Sequence, residues 1–473
     1  MKHTPLSLIA HWAGGELHGD DVMIDAVSND TRTLATGSLY VALRGERFDG
    51  HDFAGDALVR GASGLLVERL LPDIELPQVL VADAELALAR VAAGMQRGRG
   101  TRVFAITGSN GKTSVKSLLL AILQHVQDMD GLSVYATPGN RNNEIGLPLA
   151  VIAAPDDADF AVYEMGAGKP GDIAYLTDIA RPHFSLVNNI APAHLERMGS
   201  LMGVAATKGA IYAALPDEGV AVVNADDAFA LWFEQAIVQP ASTGRRVIRF
   251  GLDAGADVRA KAITLAAQGS TFTLATPQGE AAVTLHLPGR HNIRNALAAA
   301  SLALGAGIAL PRIVEGLAQA RPVAGRQIAH VLPGGAVLID DSYNANPGSL
   351  DAAIDALAGP GEGWLVLGDM RELGAEGAAL HAAAGRRARD ARLARLYALG
   401  ELSAHAARAF GEHGRVFASH AELAAALQAD VEQFGKGNAT TPLRVLVKGS
   451  RGSAMDKIVT ALLAHGEEAP NAA

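Results

Sequence analysis

The apolar run Val103-Phe-Ala-Ile-Thr107 passes without a linker into Gly108-Ser-Asn-Gly-Lys-Thr113, after which Val115, Leu118, Leu119 and Ile122 recur at helical spacing. A β-type run, a glycine turn and an amphipathic helix in direct succession place the turn between a strand and a helix. Such a turn is a phosphate cradle. Backbone N–H groups around Gly108, Ser109, Asn110 and Gly111 can converge on phosphate oxygens, Lys112 supplies a point charge, and the Thr113 hydroxyl can ligate Mg²⁺. The loop is shorter than the common form, because only Ser109 and Asn110 separate its glycines.

Further apolar runs at 160–163, 184–187, 220–223, 337–339, 364–367 and 445–447 alternate with Ala/Leu-rich helical stretches. This alternation predicts α/β domains with mostly parallel sheets. Several runs end in polar residues (Glu164, Asn188, Asn224, Asp340 and Lys448), and ligands in open α/β sheets sit beyond the carboxyl ends of strands. At 473 residues the chain is too long for one core. Three domains are expected, 1–82, 83–320 and 321–473.

Composition narrows the function. The chain has no cysteine, which excludes disulfides, thiol nucleophiles and thiolate zinc sites and fits a reducing cytoplasm. A formal net charge of −10 argues against a general nucleic-acid surface. The first residues lack a signal-like apolar core, and the Ala-rich run 296–310 is too short to span a bilayer. A cytoplasmic monomer without an integral membrane segment is expected.

Other blocks carry chemistry. Thr137-Pro-Gly-Asn-Arg-Asn-Asn-Glu-Ile-Gly-Leu-Pro148 offers Asn140, Asn142 and Asn143 to orient a polar ligand, unless it is simply an asparagine-rich turn. Glu164, ending its strand, can face Thr113 across a Mg²⁺ ion or serve as an ion-paired residue. Asn292 and Asn295 share a helical face suited to an adenine edge, although Asn292 could instead cap the helix. Lys448 and Arg451 in Val447-Lys-Gly-Ser-Arg451 suit a phosphate or carboxylate. Taken alone, His194 in Asn188-Asn-Ile-Ala-Pro-Ala-His194 is a satisfied polar residue and Lys208 in Thr207-Lys-Gly209 a surface lysine.

Together with Ser28-Asn-Asp-Thr-Arg32, Gly325-Arg326, Asp340-Asp-Ser-Tyr-Asn-Ala-Asn-Pro347 and Leu367-Gly-Asp-Met-Arg-Glu-Leu-Gly374, these blocks resemble the Mur ligase family of ATP-dependent amide ligases over almost the whole chain. The segments 137–148 and 367–374 resemble the members that add D-alanyl-D-alanine. The resemblance implies a small N-terminal α/β uridine-nucleotide domain, a central P-loop-type domain with a mostly parallel sheet, and a C-terminal Rossmann-like α/β domain.

It also implies roles for residues. Lys112, His194 and Lys208 are expected to be catalytic, with Lys208 carbamylated. ATP would be held by 108–113, Asn292, Asn295, Arg326 and Asp341, and Mg²⁺ by Thr113, Glu164, His194 and Lys208. Ser28, Thr31, Arg32, Asn140, Asn142, Asn143, Lys448 and Arg451 would bind substrate. The implied substrates are UDP-MurNAc-tripeptide and D-alanyl-D-alanine, joined through an acyl phosphate to give the pentapeptide, ADP and phosphate.

The alternatives are weaker. The ligase that adds the third residue carries an Asp-Asn-Pro-Arg motif that this chain lacks, and folylpolyglutamate synthase shares the loop but not the 140–145 block. A P-loop ATPase without ligase activity needs only the loop. Two departures from the family pattern, Ala210 after Lys-Gly and the loosened Gly452-Ser-Ala-Met-Asp456, bear on local packing near Lys208 and on the C-terminal site.

Overall fold

The computed structural model describes residues 1–468 apart from 193, 243, 254, 267–268, 360 and 438–441. Strand Arg102–Thr107 is buried beyond its first residue and divides its side chains between two apolar cores, Val103 and Ala105 on one face, Phe104 and Ile106 on the other. A strand covered on both faces requires an unbroken apolar run rather than alternation. Its parallel neighbours Phe160–Glu164 and Phe184–Val187 divide the same way: Ala161, Tyr163 and Val187 join the first core, Phe160, Val162, Phe184 and Leu186 the second.

The central sheet has nine strands. From Val134–Ala136 through Phe160–Glu164, Arg102–Thr107, Phe184–Val187, Val220–Asn224 and Arg246–Gly251 to Val258–Ala266, every pairing is parallel. Val258–Ala266, Gly269–Thr276 and Gly279–Leu285 then form an antiparallel extension. The sequence reading misses this extension, because strands such as Val258–Ala266 are largely solvent-facing and carry no continuous apolar run. Helix Lys112–Asp130 buries Val115, Leu118, Leu119 and Ile122 in the second core, each contributing about 1.5–3 kcal/mol relative to exposure. That packing fixes the phosphate turn against the sheet.

The N-terminal domain holds a five-stranded sheet built from residues 16–80. Its core residues Leu6, Ile9, Leu39 and Val79 are continuous with the first face of the central sheet through helix Ala84–Arg97, which contributes Leu88 and Val91. The C-terminal six-stranded sheet, residues 328–448, is parallel except for Ile328–Val331 against Val337–Asp341. It has its own two cores, one around Trp364 and Tyr397 and one around Leu365 and Leu396. Among the described residues no apolar cluster joins them to the rest of the chain. This is the expected three-domain α/β architecture. Glu164, Asn224, Asp341 and Lys448 are the last residues of their strands.

Candidate active site

The phosphate loop depends on two glycines with positive φ, Gly108 (+146°) and Gly111 (+78°). A Cβ on Gly111 would lie 2.5 Å from Asn188 Nδ2 and 2.7 Å from Asn295 Oδ1, so backbone angle and space both exclude a side chain. The loop amides fall into two sets. Ser109 N–H donates to the Asn189 carbonyl and Asn110 N–H to Asn189 Oδ1, each at 2.9 Å, while the side-chain amides of Asn188 and Asn189 donate to the Asn110 carbonyl. These contacts strap the loop to the segment after strand Phe184–Val187. In this arrangement the Ser109 and Asn110 amides are not available to phosphate, which corrects the expectation that the whole turn presents free donors. Lys112, Thr113 and Ser114, in the first turn of helix Lys112–Asp130, which has no side-chain cap, open onto the cleft and can offer their amides to phosphate, whereas the Val115 N–H donates to the Gly111 carbonyl. Lys112 Nζ curls back to the Gly108 carbonyl at 2.8 Å, and burial lowers its pKa against the opposing pull of Glu164.

Glu164 is buried at the strand end and accepts from two directions. The Thr113 hydroxyl donates to Oε2 at 2.8 Å and Asn142 Nδ2 to Oε1 at 2.9 Å. Asn142 Nδ2 also donates to Asn140 Oδ1, so the asparagine segment is anchored on the carboxylate. Asn143, by contrast, accepts from Gly146 N–H and holds the turn into the next helix. Lys116, one helical turn after Thr113, is buried and donates to the carbonyls of Thr137 and Gly139 with its Nζ 3.9 Å from Glu164. Sequence reasoning overlooked Lys116, although its place on the buried face of the loop helix was a usable sign.

His194 lines the same cleft, of about 570 Å³, and meets the carboxylate of Glu372 of the C-terminal domain through Nδ1. Burial lowers its pKa, and Lys208 and Lys112 push in the same direction while Glu372 opposes. Lys208 is no surface lysine: it is 1% exposed on helix Leu201–Ala213, and burial, with the Lys112 charge, holds its pKa well below the ordinary lysine value. Burial thereby favours the neutral amine, the form able to add to CO₂.

The C-terminal domain reaches the loop directly. Arg326 Nη2 donates to the Thr113 hydroxyl at 2.8 Å while its guanidinium stacks 4.3 Å from the Tyr343 ring centre, and Asn346 Nδ2 donates to Asn110 Oδ1 at 2.7 Å. Tyr343 and Asn346 were inside a recognised block, but nothing in their spacing indicated these contacts. Lys448, 2% exposed, donates to Asp341 Oδ2 at 2.7 Å and to the Asn344 carbonyl. In this arrangement it fixes Asp341, and it also lines the cleft. Arg451 is largely exposed and lines the cleft.

Asn292 and Asn295 also line it, both buried. Gly289, not Asn292, caps helix Arg290–Gly305; Asn292 donates to the Pro288 carbonyl, and Asn295 Oδ1 accepts from Asn188. Ser28, Thr31 and Arg32 are not among the residues lining the cleft. Arg32 is bound bidentately by Asp30, whose carboxyl it holds down to about 2.

The site fits a nucleotide and a hard cation. Among the described residues no group of three or more His, Asp or Glu could hold a metal alone. A hydroxyl and one buried carboxylate, at Thr113 and Glu164, are hard oxygen donors of the kind Mg²⁺ takes.

Comparison with known proteins agrees with this geometry. Residues 23–93, 106–303 and 327–451 match the models described as Mur ligase family, catalytic domain; Mur ligase middle domain; and Mur ligase, glutamate ligase domain. The UDP-N-acetylmuramoyl-tripeptide–D-alanyl-D-alanine ligase of Escherichia coli K12 is 44% identical over 98% of this chain and 100% of that protein. The Bacillus subtilis ligase of the same name is 33% identical, covering 94% of each chain. The crystal structure of MurF from Acinetobacter baumannii superposes with a TM-score of 0.88 at 32% identity, covering 98% of this chain and 100% of that one. The MurF ligase from Thermotoga maritima in complex with ADP gives 0.79 at 27% identity, covering 94% and 98%. From its phosphate loop to its C-terminal sheet, the chain belongs to the Mur ligase family.

Proposed function

We propose that this chain joins D-alanyl-D-alanine to UDP-N-acetylmuramoyl-tripeptide with ATP, yielding the pentapeptide, ADP and phosphate, in cytoplasmic peptidoglycan precursor synthesis. One observation carries the reading: Thr113, Glu164 and Asn142 form a continuous hydrogen-bonded unit, joining the nucleotide helix to the asparagine segment at a buried carboxylate. The name borne by relatives spanning the whole chain supports it.

Amide formation from a free carboxylate is uphill in water, so the acid must first be activated. The tripeptide's terminal carboxylate attacks the γ-phosphorus of ATP, forming an acyl phosphate and releasing ADP; the dipeptide amine then adds to the acyl carbon and expels phosphate. Lys112 and the first-turn amides balance charge on the transferring oxygens. When bound, Mg²⁺ would supply Lewis-acid polarisation of those oxygens; Thr113 and Glu164 would hold one ion, and His194 with carbamylated Lys208 a second. Asn292, Asn295, Arg326 and Asp341 position the nucleotide, and Asn140, Asn142 and Arg451 the acceptor side. Docking of the C-terminal domain excludes water from the labile intermediate. Ser28, Thr31 and Arg32 serve the remote uridine end of the substrate.

The test is direct. Purified protein with ATP, Mg²⁺, D-alanyl-D-alanine and UDP-MurNAc-tripeptide ending in either diaminopimelate or lysine should give the pentapeptide mass with at least one of them. ATP turnover that proceeds without the dipeptide and forms no new amide would overturn the reading.

A further inference from the structure

His194 and Glu372 meet across the boundary between the central and C-terminal domains, and both have left-handed backbones, φ +52° and +62°. Non-glycine residues in that region are strained and persist only where their surroundings hold them. The surroundings of Glu372 do so. On one side Met370 is fully buried, with its N–H bonded to His381 Nε2 at 2.9 Å, and the Arg371 N–H donates to Ser450 Oγ at 2.9 Å; on the other, Leu373 is buried. The loop after strand Glu362–Gly368 is thus pinned on both sides of a residue whose carboxylate points out of its own domain onto the His194 ring.

The ring has two nitrogens with different surroundings. Nδ1 is engaged by Glu372, and Nε2, on a ring that lines the cleft, has no hydrogen-bond partner among the described residues. A carboxylate on one imidazole nitrogen fixes the tautomer and the ring orientation, and leaves the other nitrogen as a lone-pair donor. We propose that Glu372 is a positioning residue that orients His194 for a divalent cation, so that this metal position is complete only when the C-terminal domain is docked. The inference rests on the reading of His194 as a metal ligand. It adds a residue from another domain, and a reason for that domain to contact His194.

The experiment measures metal binding rather than turnover. Mn²⁺ is titrated, with ADP present, into wild-type protein, Glu372→Ala and His194→Ala, and free Mn²⁺ is followed by electron paramagnetic resonance. Alanine bears the same left-handed backbone cost as glutamate, so Glu372→Ala removes the carboxylate without relieving strain. The expected result is two Mn²⁺ per wild-type chain, with the weaker one lost in His194→Ala and bound about 10-fold or more weakly in Glu372→Ala. The tighter Mn²⁺ and the thermal midpoint should be unchanged in Glu372→Ala. A weaker Mn²⁺ that is lost in His194→Ala yet unaffected by Glu372→Ala overturns the positioning role and leaves the metal reading standing. A weaker Mn²⁺ that survives His194→Ala overturns both. Imidazole nitrogen shifts supply a second readout: His194 should hold the Nδ1–H tautomer in wild type and lose that preference in Glu372→Ala, and an unchanged tautomer counts against the proposal.

Discussion

Arg326 and Glu164 meet at a single oxygen, the Thr113 hydroxyl, which accepts from the guanidinium and donates to the carboxylate, each at 2.8 Å. A residue of the C-terminal domain is thereby placed on the group expected to hold Mg²⁺. Arg326→Ala should lower kcat/KM by roughly 10- to 100-fold through lost positioning of the nucleotide, a cost of about 1.4–2.7 kcal/mol. Steady-state kinetics with ATP as the varied substrate checks this, and an unchanged kcat/KM would remove Arg326 from the site.

Gly111→Ala introduces a Cβ where Asn188 and Asn295 already lie within 2.7 Å, at a backbone angle that alanine resists. Loss of ligation and a destabilisation of about 1–3 kcal/mol are expected, read by denaturant unfolding.

Lys112→Ala should leave the fold intact, because the lysine makes one hydrogen bond, to the Gly108 carbonyl, and sits at the open end of its helix. Ligation should fall by at least about 10²-fold. Near-normal phosphate release from a folded variant would sink the cradle assignment.

Lys208→Ala tests the buried amine. Activity should be lost and partly regained with added short carboxylic acids, which can occupy the place of a carbamate. A wild-type peptide mass map showing no CO₂ adduct under preserving conditions, together with full activity of the variant, would refute the role.

His381 supplies a pH-dependent prediction. It is fully buried, accepts from the Met370 N–H and contacts the Gly377 carbonyl, and burial lowers its pKa from the ordinary value near 6.5. A histidine with a depressed folded pKa takes up its proton more readily when unfolded, so its contribution is fully present above about pH 6.5 and is lost as pH falls below it. The slope is at most about 1.4 kcal/mol per pH unit. Unfolding free energies measured from pH 7 to 5 should show a shallower acid limb in His381→Gln.

Much of the architecture was legible because its strands are buried on both faces. Residues 103–106 and 445–447 are continuous apolar runs for that reason, 184–187 is interrupted only by the buried Ser185, and polar residues such as Asn188 and Lys448 that follow mark the cleft. The antiparallel extension 258–285 was not legible, since a half-exposed strand mixes Lys261 and Thr264 with Val258 and Ala260. The site divides similarly. Glu164 and His194 line the cleft, Lys208 is buried on helix Leu201–Ala213 and is not among the lining residues, and Lys448 looked like an available cation until its distant partner Asp341 was in place. Glu372 was hidden because its importance lies in a contact with His194, far away in the chain.

The N-terminal domain shares an apolar core with the central domain, whereas the described interdomain contacts at the loop, Arg326 to Thr113, Asn346 to Asn110 and Glu372 to His194, are polar. Burial of apolar surface is what gives association its large negative heat-capacity change. Docking of the C-terminal domain should accordingly have a small heat capacity, and its equilibrium should drift little with temperature while responding to salt, which screens partly exposed charges. The N-terminal junction, held by Leu6, Leu88 and Val91 against the sheet, should behave in the opposite way, indifferent to salt and weakened by cold.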